Sequence, residues 1–408
     1  MGENMIRMSK KIKVILASLL IVCSVLVINS IISNNVVTTK GASIDEKEVI
    51  KENDKKGFFN RFSLGRKVNI SAVGDIILHD EQIWSAYNEE NKAYDFMNNF
   101  KYVKNFIEKS DIAYGTIEGT YAGEEIGYSG YPNYNGPDSM IDALKDTGFD
   151  IINVATDHSL DKGVEGASKT GEKIDKDMTS IGNKKYIIKK VKGIEIGFTS
   201  YTYESKEGEL NGHKIPEDMN LNTFSYNKLD NGLEEMKALV EEMKNEGAEF
   251  IVFGMHWGVE YKTEPSKYQV KIAEALNEYG VDLILGSNPH VVQPIEEIEG
   301  ENGNKTLVAY SLGNFISNQR LETMGDRRTA DGIILNLTLD KSRKGVKIEK
   351  WDYTPTWVYK IPRENKKSDY YILPVEETLN SEEGKKLDKE TLNQLNKSLE
   401  STKSIVEK

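Results

Sequence analysis

The chain has 408 residues, 29% of them charged and 38% hydrophobic, with a formal net charge of -12 and a pI near 5.2. This acidity argues against nucleic acid as a partner, because phosphate binding needs clustered Lys and Arg. A single cysteine, Cys23, rules out an intrachain disulfide and thiolate metal clusters. Any metal site must therefore be built from His, Asp, Glu and Asn.

The first element is the apolar run "VILASLLIVCSVLVINSII", residues 14–32. At ~1.5 Å per helical residue it is just long enough for a hydrocarbon core of ~30 Å. Arg7, Lys10, Lys11 and Lys13 precede it, which predicts a single-pass anchor with a cytoplasmic N-terminus and an exported body. No small-residue cleavage site follows closely, and Val22 before Cys23 does not suit a lipobox, so the anchor reads as uncleaved. Residues 1–33 are thus expected to be stub and membrane helix, and 34–66 a polar, charged tether.

From residue 67 the pattern predicts an α/β body reaching to 374, followed by a charged tail over 375–408. "VNISAVGD" reads as a strand, "YDFMNNFKYVKNFIEKS" as a helix and "DIAYGTIEG" as the next strand. "SMIDALKDTG" is a short helix closed by Gly148, and "FDIINVA" a strand. Strands "YIIKKV" and "IEIGFTSY" come next. A long helix then presents Leu229, Leu233, Met236, Leu239, Val240 and Met243 on one face. Strand "AEFIVFGMHWG", helix "SKYQVKIAEALNEYG", strand "VDLILGS" and the segment "KTLVAYSLGNF" follow. Near-continuous apolar strands alternating with helices indicate buried sheet. Gly332 to Pro374 reads as added strands. Leu392, Leu395 and Leu399 in the tail lie at helical spacing, as a peripheral helix or a frayed end.

The chemistry gathers at strand ends. Asp75 follows "ISAVG", Glu118 follows "DIAYGTI", and Asp157 and His158 follow "IINVAT". His256 follows "FIVFGM", His290 follows "LILGSNP", and Asn314 follows "VAYSLG". Sites in α/β sheets form beyond the carboxyl ends of strands, so these groups can share one rim. Such mixed N/O donors suit Zn, Mn or Fe. Each residue also fits a local role: Asp75 and Asp157 as helix caps, Glu118 as a loop carboxylate, His256 in the core, His290 in a turn. Their joint placement favours the shared site. His79 fits a helix start better than the site, and His213 sits in a polar loop. "GVEGASKT" carries Ser168 where a phosphate-binding loop needs its second glycine, so nucleotide binding is set aside.

Six motifs in order resemble the capsule synthesis protein CapA family, a branch of the calcineurin-like metallophosphoesterase superfamily. They are "AVGDI" (72–76), "TIEG" (116–119), "NVATDHSLDKG" (153–163), "MHWGVEY" (255–261), "GSNPHVVQ" (286–293) and "YSLGNFI" (310–316). The resemblance implies a four-layer α/β/β/α sandwich with up to two divalent ions on its rim. By position it implies Asp75, Glu118, Asp157, His256 and His290 as metal ligands. It assigns His158 to catalysis, as a transition-state or leaving-group histidine. It also implies work beside membrane-bound polymer synthetase subunits on an anionic polymer such as poly-γ-glutamate; an active exported metal-dependent phosphoesterase and a non-catalytic scaffold of a polymer-synthesis complex are the alternatives. Members resembled here usually carry Asn at the positions of Thr116 and Asp157, and often His at that of Asn288.

Overall fold

The computed structural model describes residues 66–408. The expected anchor over 14–32, and the tether up to residue 65, lie outside the described residues. Among the described residues no helix is long and apolar enough to cross a membrane.

The chain opens with β1 (Arg66–Ile77) and α1 (Asp80–Ala86), then β2 (Ile112–Glu118), α2 (Ser139–Thr147), β3 (Ile151–Asn153), α3 (Gly163–Ile174) and β4 (Thr179–Ile181). β1 to β4 are parallel neighbours in that order. A second sheet follows from β5 (Ile187–Val191), β6 (Ile194–Tyr203), α4 (Leu229–Asn245), β7 (Phe250–His256), α5 (Lys267–Tyr279), β8 (Leu283–Ser287), β9 (Ile295–Glu299) and β10 (Lys305–Ala309). Its order is β6-β7-β8-β10-β9, with β5 antiparallel on β6.

The chain then returns to the first sheet. β11 (Asn314–Ile316) lies parallel to the end of β1. β12 (Asp331–Ser342), β13 (Gly345–Pro362) and β14 (Ser368–Pro374) extend the sheet antiparallel on the far side of β1. These are the added strands expected between Gly332 and Pro374. Two helices close the chain, α6 (Val375–Asn380) and α7 (Lys389–Val406).

Period-two alternation explains how the sheets stack. Val68, Ile70 and Ala72 of β1, with Ile112 and Tyr114 of β2, face inward against Ile196, Phe198, Phe250, Val252, Leu283 and Leu285 of the second sheet. The alternate residues Ala113, Ile117 and Ile152 pack outward with Met140, Leu144 and Ile174 from α2 and α3. On the other side, Ile251, Phe253 and Met255 meet Met236, Leu239 and Val240 of α4 and Ile272 and Leu276 of α5. The layers therefore run helix, sheet, sheet, helix. All six apolar-face residues predicted for α4 are buried.

One segment differs from the sequence expectation, and the tail takes the first of its two alternatives, a helix. The single helix expected over "YDFMNNFKYVKNFIEKS" is broken into a 3-10 turn, Met97–Phe100, and a short helix, Lys104–Ile107. Asp95 accepts a hydrogen bond from Met97 N at 2.8 Å, starting a tight turn through two asparagines that favour such geometry. Phe96, Phe100, Val103 and Ile107 are nevertheless all buried, so the apolar period was sound and only the backbone winding differed. The tail is no frayed end over α7: Leu395 is fully buried and packs with Trp357, Leu373 and Val375. Asp388 caps the helix by accepting from Glu390 N and Thr391 N.

Candidate metal centre

The site is assembled by backbone approaches that need glycine. A Cβ at Gly74 would lie 1.9 Å from Gly313 O, so its absence allows the segment before β11 to close on β1. Asp75 N then donates to Gly313 O at 3.0 Å, and Asp75 sits in register with Asn314 and with Thr116. Glu118 ends β2 and His256 ends β7. Asp157 and His158 lie in the turn after β3. Asn288 and His290 lie in the turn after β8 with positive φ values of 89° and 56°, a strained backbone held by its surroundings.

All six predicted residues are buried: Asp75, Glu118, Asp157, His158, His256 and His290. Two sets of potential ligand atoms lie within 4.8 Å of one another, Asp75–Glu118–His256 and Glu118–Asp157–His158. Glu118 belongs to both. His290 stands beside them, with Nδ1 3.4 Å from Asp75 Oδ2 and Nε2 3.8 Å from Glu118 Oε1. His158, expected in a catalytic role, has Nε2 at 4.0 Å from both Glu118 Oε1 and Asp157 Oδ2. His79 caps α1, half-buried, edge-on to Tyr134, and lies in neither set.

The histidines are held in orientation by their other ring nitrogens. His158 Nδ1 is 2.8 Å from Asp161 Oδ2, and that oxygen also accepts from Tyr134 N at 2.7 Å. His256 Nδ1 is 2.9 Å from Ser287 Oγ. His290 Nδ1 is 3.2 Å from Asn314 Oδ1, while Asn314 Nδ2 donates to Gln319 Oε1 and Thr329 O. Such partners fix tautomer and aim at a metal site. Asn288, where a ligand histidine is often found by resemblance, turns its amide away and donates to Trp257 O, while its backbone N–H donates to Asp75 Oδ2.

The electrostatics call for positive charge. Burial pushes the Glu118 carboxyl up to about 7, with Asp75 and Asp157 pushing the same way against His290 and His256. Burial alone would lower His158, but the Asp161 hydrogen bond with Asp157 and Glu118 raises it to about 9. Burial likewise opposes His290, which Glu118 and Asp75 raise to about 10. Asp75 Oδ1 and Glu118 Oε2 are buried with no hydrogen-bond partner. An unsatisfied buried oxygen costs on the order of 1–3 kcal/mol, more if charged. Carboxylate and imidazole donors around two orphaned oxygens fit hard or borderline divalent cations.

Sequence reasoning had not singled out four partners of the cluster. Asp161 was legible as the i+3 neighbour of His158 in the same motif. Ser287, the residue before Asn288, lies inside the motif "GSNPHVVQ" with no local signal that it partners His256. Tyr203 OH and Asn211 Nδ2 donate to Asp157 Oδ2 at 3.3 and 3.1 Å. Nothing local in the sequence pointed to either.

The family model of the bacterial capsule synthesis protein PGA_cap matches residues 69–319, well over half of the chain and every residue of the cluster. The chain is 29% identical over 298 residues to the PGA biosynthesis protein CapA of Bacillus subtilis (strain 168), covering 68% of this chain and 69% of that one. It is 26% identical over 292 residues to the capsule biosynthesis protein CapA of Bacillus anthracis, covering 67% of this chain and 64% of that one. Among solved structures, the calcineurin-like phosphoesterase YfkN from Bacillus subtilis matches with a TM-score of 0.43 at 13% identity, over 84% of this chain and 100% of that one. A likeness that distant says nothing about the site, which stands on its own geometry.

Proposed function

Because the chain belongs to the bacterial capsule synthesis protein family, we propose that it serves the synthesis or export of a capsule polymer of the poly-γ-glutamate class, with its strand-end cluster as a divalent metal centre. In this reading the segment 14–32 anchors the protein at the cell membrane, its N-terminus is cytoplasmic, and the body works outside beside membrane-bound polymer synthetase subunits.

The observation that carries the metal reading is Glu118. Its carboxylate is shared by two ligand sets, and one of its oxygens is buried without a partner. Asp75, Glu118 and His256 would hold one ion, and Glu118 and Asp157 would contribute to a second, with His290 against Asp75 and Glu118. When bound, such ions supply Lewis-acid chemistry and offset the carboxylate charge. The chain's own contribution is orientation. Asp161 and Ser287 fix the rings of His158 and His256, and a protonated His158 can donate a hydrogen bond or proton to an oxygen bound beside Glu118.

The second reading is a metal-dependent phosphoesterase in which this His158–Asp161 pair assists the leaving group. Metal analysis of the full-length protein, a generic phosphodiester assay and rescue of surface polymer in a deletion strain separate the two. Metal in the purified protein and turnover lost in His256→Ala and Asp75→Asn support the enzyme. Stoichiometric metal without turnover, with polymer lost in His256→Ala, supports the capsule role alone. Protein that takes up no divalent ion overturns the metal centre in both.

A further inference from the structure

A cavity of about 200 Å3 opens between the segment after β11, β13 and the first turns of α7. Its charge is unusual for so acidic a chain, since Arg320, Arg327 and Lys360 all line it. Two of these cations are engaged inside the protein. Arg327 Nη1 donates to Asp331 at 2.9 Å, and Lys360 Nζ to Glu81 at 2.7 Å.

Arg320 is left with capacity. Its side chain is only 12% exposed. Among the described residues only its Nε finds an acceptor, Glu322 at 3.1 Å, and Nη1 is buried with no partner. A buried guanidinium nitrogen without an acceptor is unfavourable. The Glu322 pair does little to offset this, because that carboxylate is 73% exposed.

The rest of the lining selects among anions. Trp357 and Tyr359 stack at 5.5 Å between ring centroids and give an apolar wall. Gln394 of α7 donates its Nε2 to Glu390 at 2.7 Å, which leaves its Oε1 as an acceptor. Glu322 and Glu390 both line the cavity and repel a dianion about twice as strongly as a monoanion.

We infer that this cavity is a carboxylate subsite, taking a monoanionic carboxylate whose α-carbon bears an amide nitrogen and leads into a short methylene run. The carboxylate pairs with the guanidinium of Arg320, the methylenes lie against Trp357 and Tyr359, and the amide N–H meets Gln394 Oε1. A γ-linked glutamate chain presents that group at every unit, whereas free glutamate offers the carboxylate beside an ammonium in place of the amide. The polymer source rests on the capsule reading above; the carboxylate chemistry does not. Gln319, the residue before Arg320, accepts from Asn314, so one stretch of chain joins this cavity to the metal cluster.

The test is calorimetric titration of the full-length protein with poly-γ-glutamate, free glutamate and inorganic phosphate in turn. Each is run on wild type, Arg320→Ala, Arg320→Lys and His256→Ala, with thermal melts confirming that all are folded. The expected result is binding weakened at least tenfold in Arg320→Ala and partly restored in Arg320→Lys. Loss for both glutamate and the polymer supports a site that reads one carboxylate; loss for the polymer alone supports one that reads the chain. Unchanged binding in Arg320→Ala, no binding by wild type, or phosphate bound as tightly as carboxylate overturns the inference. Polymer binding lost in His256→Ala but kept in Arg320→Ala moves the polymer to the metal cluster, which overturns the inference and leaves the capsule reading standing.

Discussion

Asp157→Asn is the most informative substitution in the cluster. The carboxylate is 6% exposed and takes three hydrogen bonds, at 3.1 Å from His256 Nε2, 3.3 Å from Tyr203 OH and 3.1 Å from Asn211 Nδ2. Burial alone would raise its pKa, yet the hydrogen bond and charge of His256, with His158 and Asn211, hold it well below the usual carboxylate range. Hydrogen bonds to a charged group contribute ~1.5–3 kcal/mol and neutral ones ~0.5–1.5. The amide keeps one acceptor oxygen for Tyr203 and Asn211, each bond weaker by ~1 kcal/mol, while its Nδ2 faces His256 Nε2 as a donor and meets it only in the other imidazole tautomer, for ~3 kcal/mol together. Relief of repulsion from Glu118, a member of the same ligand set, offsets part of this. The net expectation is a loss of ~1–2 kcal/mol in metal-free protein, read by denaturant unfolding in the presence of a chelator. Metal affinity should fall at least tenfold, ~1.4 kcal/mol, because an anionic donor becomes a neutral one. A variant as stable as wild type that binds metal equally well would refute the assignment of Asp157 as a charged ligand.

Ser287→Ala frees His256 Nδ1 from its 2.9 Å partner. It should weaken metal binding ~10–100-fold, as read by competition with a chromophoric chelator, and cost ~1–3 kcal/mol of stability because Nδ1 is left buried without a partner. Burial pushes the Asp331 carboxyl up to about 6, against Arg327 and Ser398, which lower it. The folded state therefore holds that proton more tightly than the unfolded chain. The contribution is full below pH ~4 and lost as pH rises through ~6, and it spans ~3 kcal/mol. Asp331→Asn should flatten the stability profile over that window, and an unaltered profile would contradict the burial argument. Leu395→Ala should cost ~2–4 kcal/mol, because this fully buried side chain seats α7 on the sheet. A melting temperature equal to wild type would show that α7 is not part of the body.

Much of the fold could be read from residue patterns because each pattern reports a local surface. The inward and outward residues of β1, β2 and β7 alternate, and the six-residue face of α4 is buried as its spacing predicts. The segment over 94–110 shows the limit. Its apolar period was correct, but a turn begun by Asp95 decided how the backbone wound through it.

The sequence by itself determined that Asp75, Glu118, Asp157, His158, His256 and His290 stand at strand ends, since each follows an apolar run that must be buried. Only the tertiary structure decided which of them touch. Asp75, Glu118 and Asp157 come from the first sheet, whereas His256 and His290 come from the second. Their meeting depends on how two apolar faces stack, and no periodicity along one chain segment specifies that. The bond from Asp157 to His256 spans 99 residues, and the donors Tyr203 and Asn211 arrive from a strand and a loop of otherwise ordinary composition. Local chemistry selected the candidate ligands; the packing of sheet on sheet made them one site.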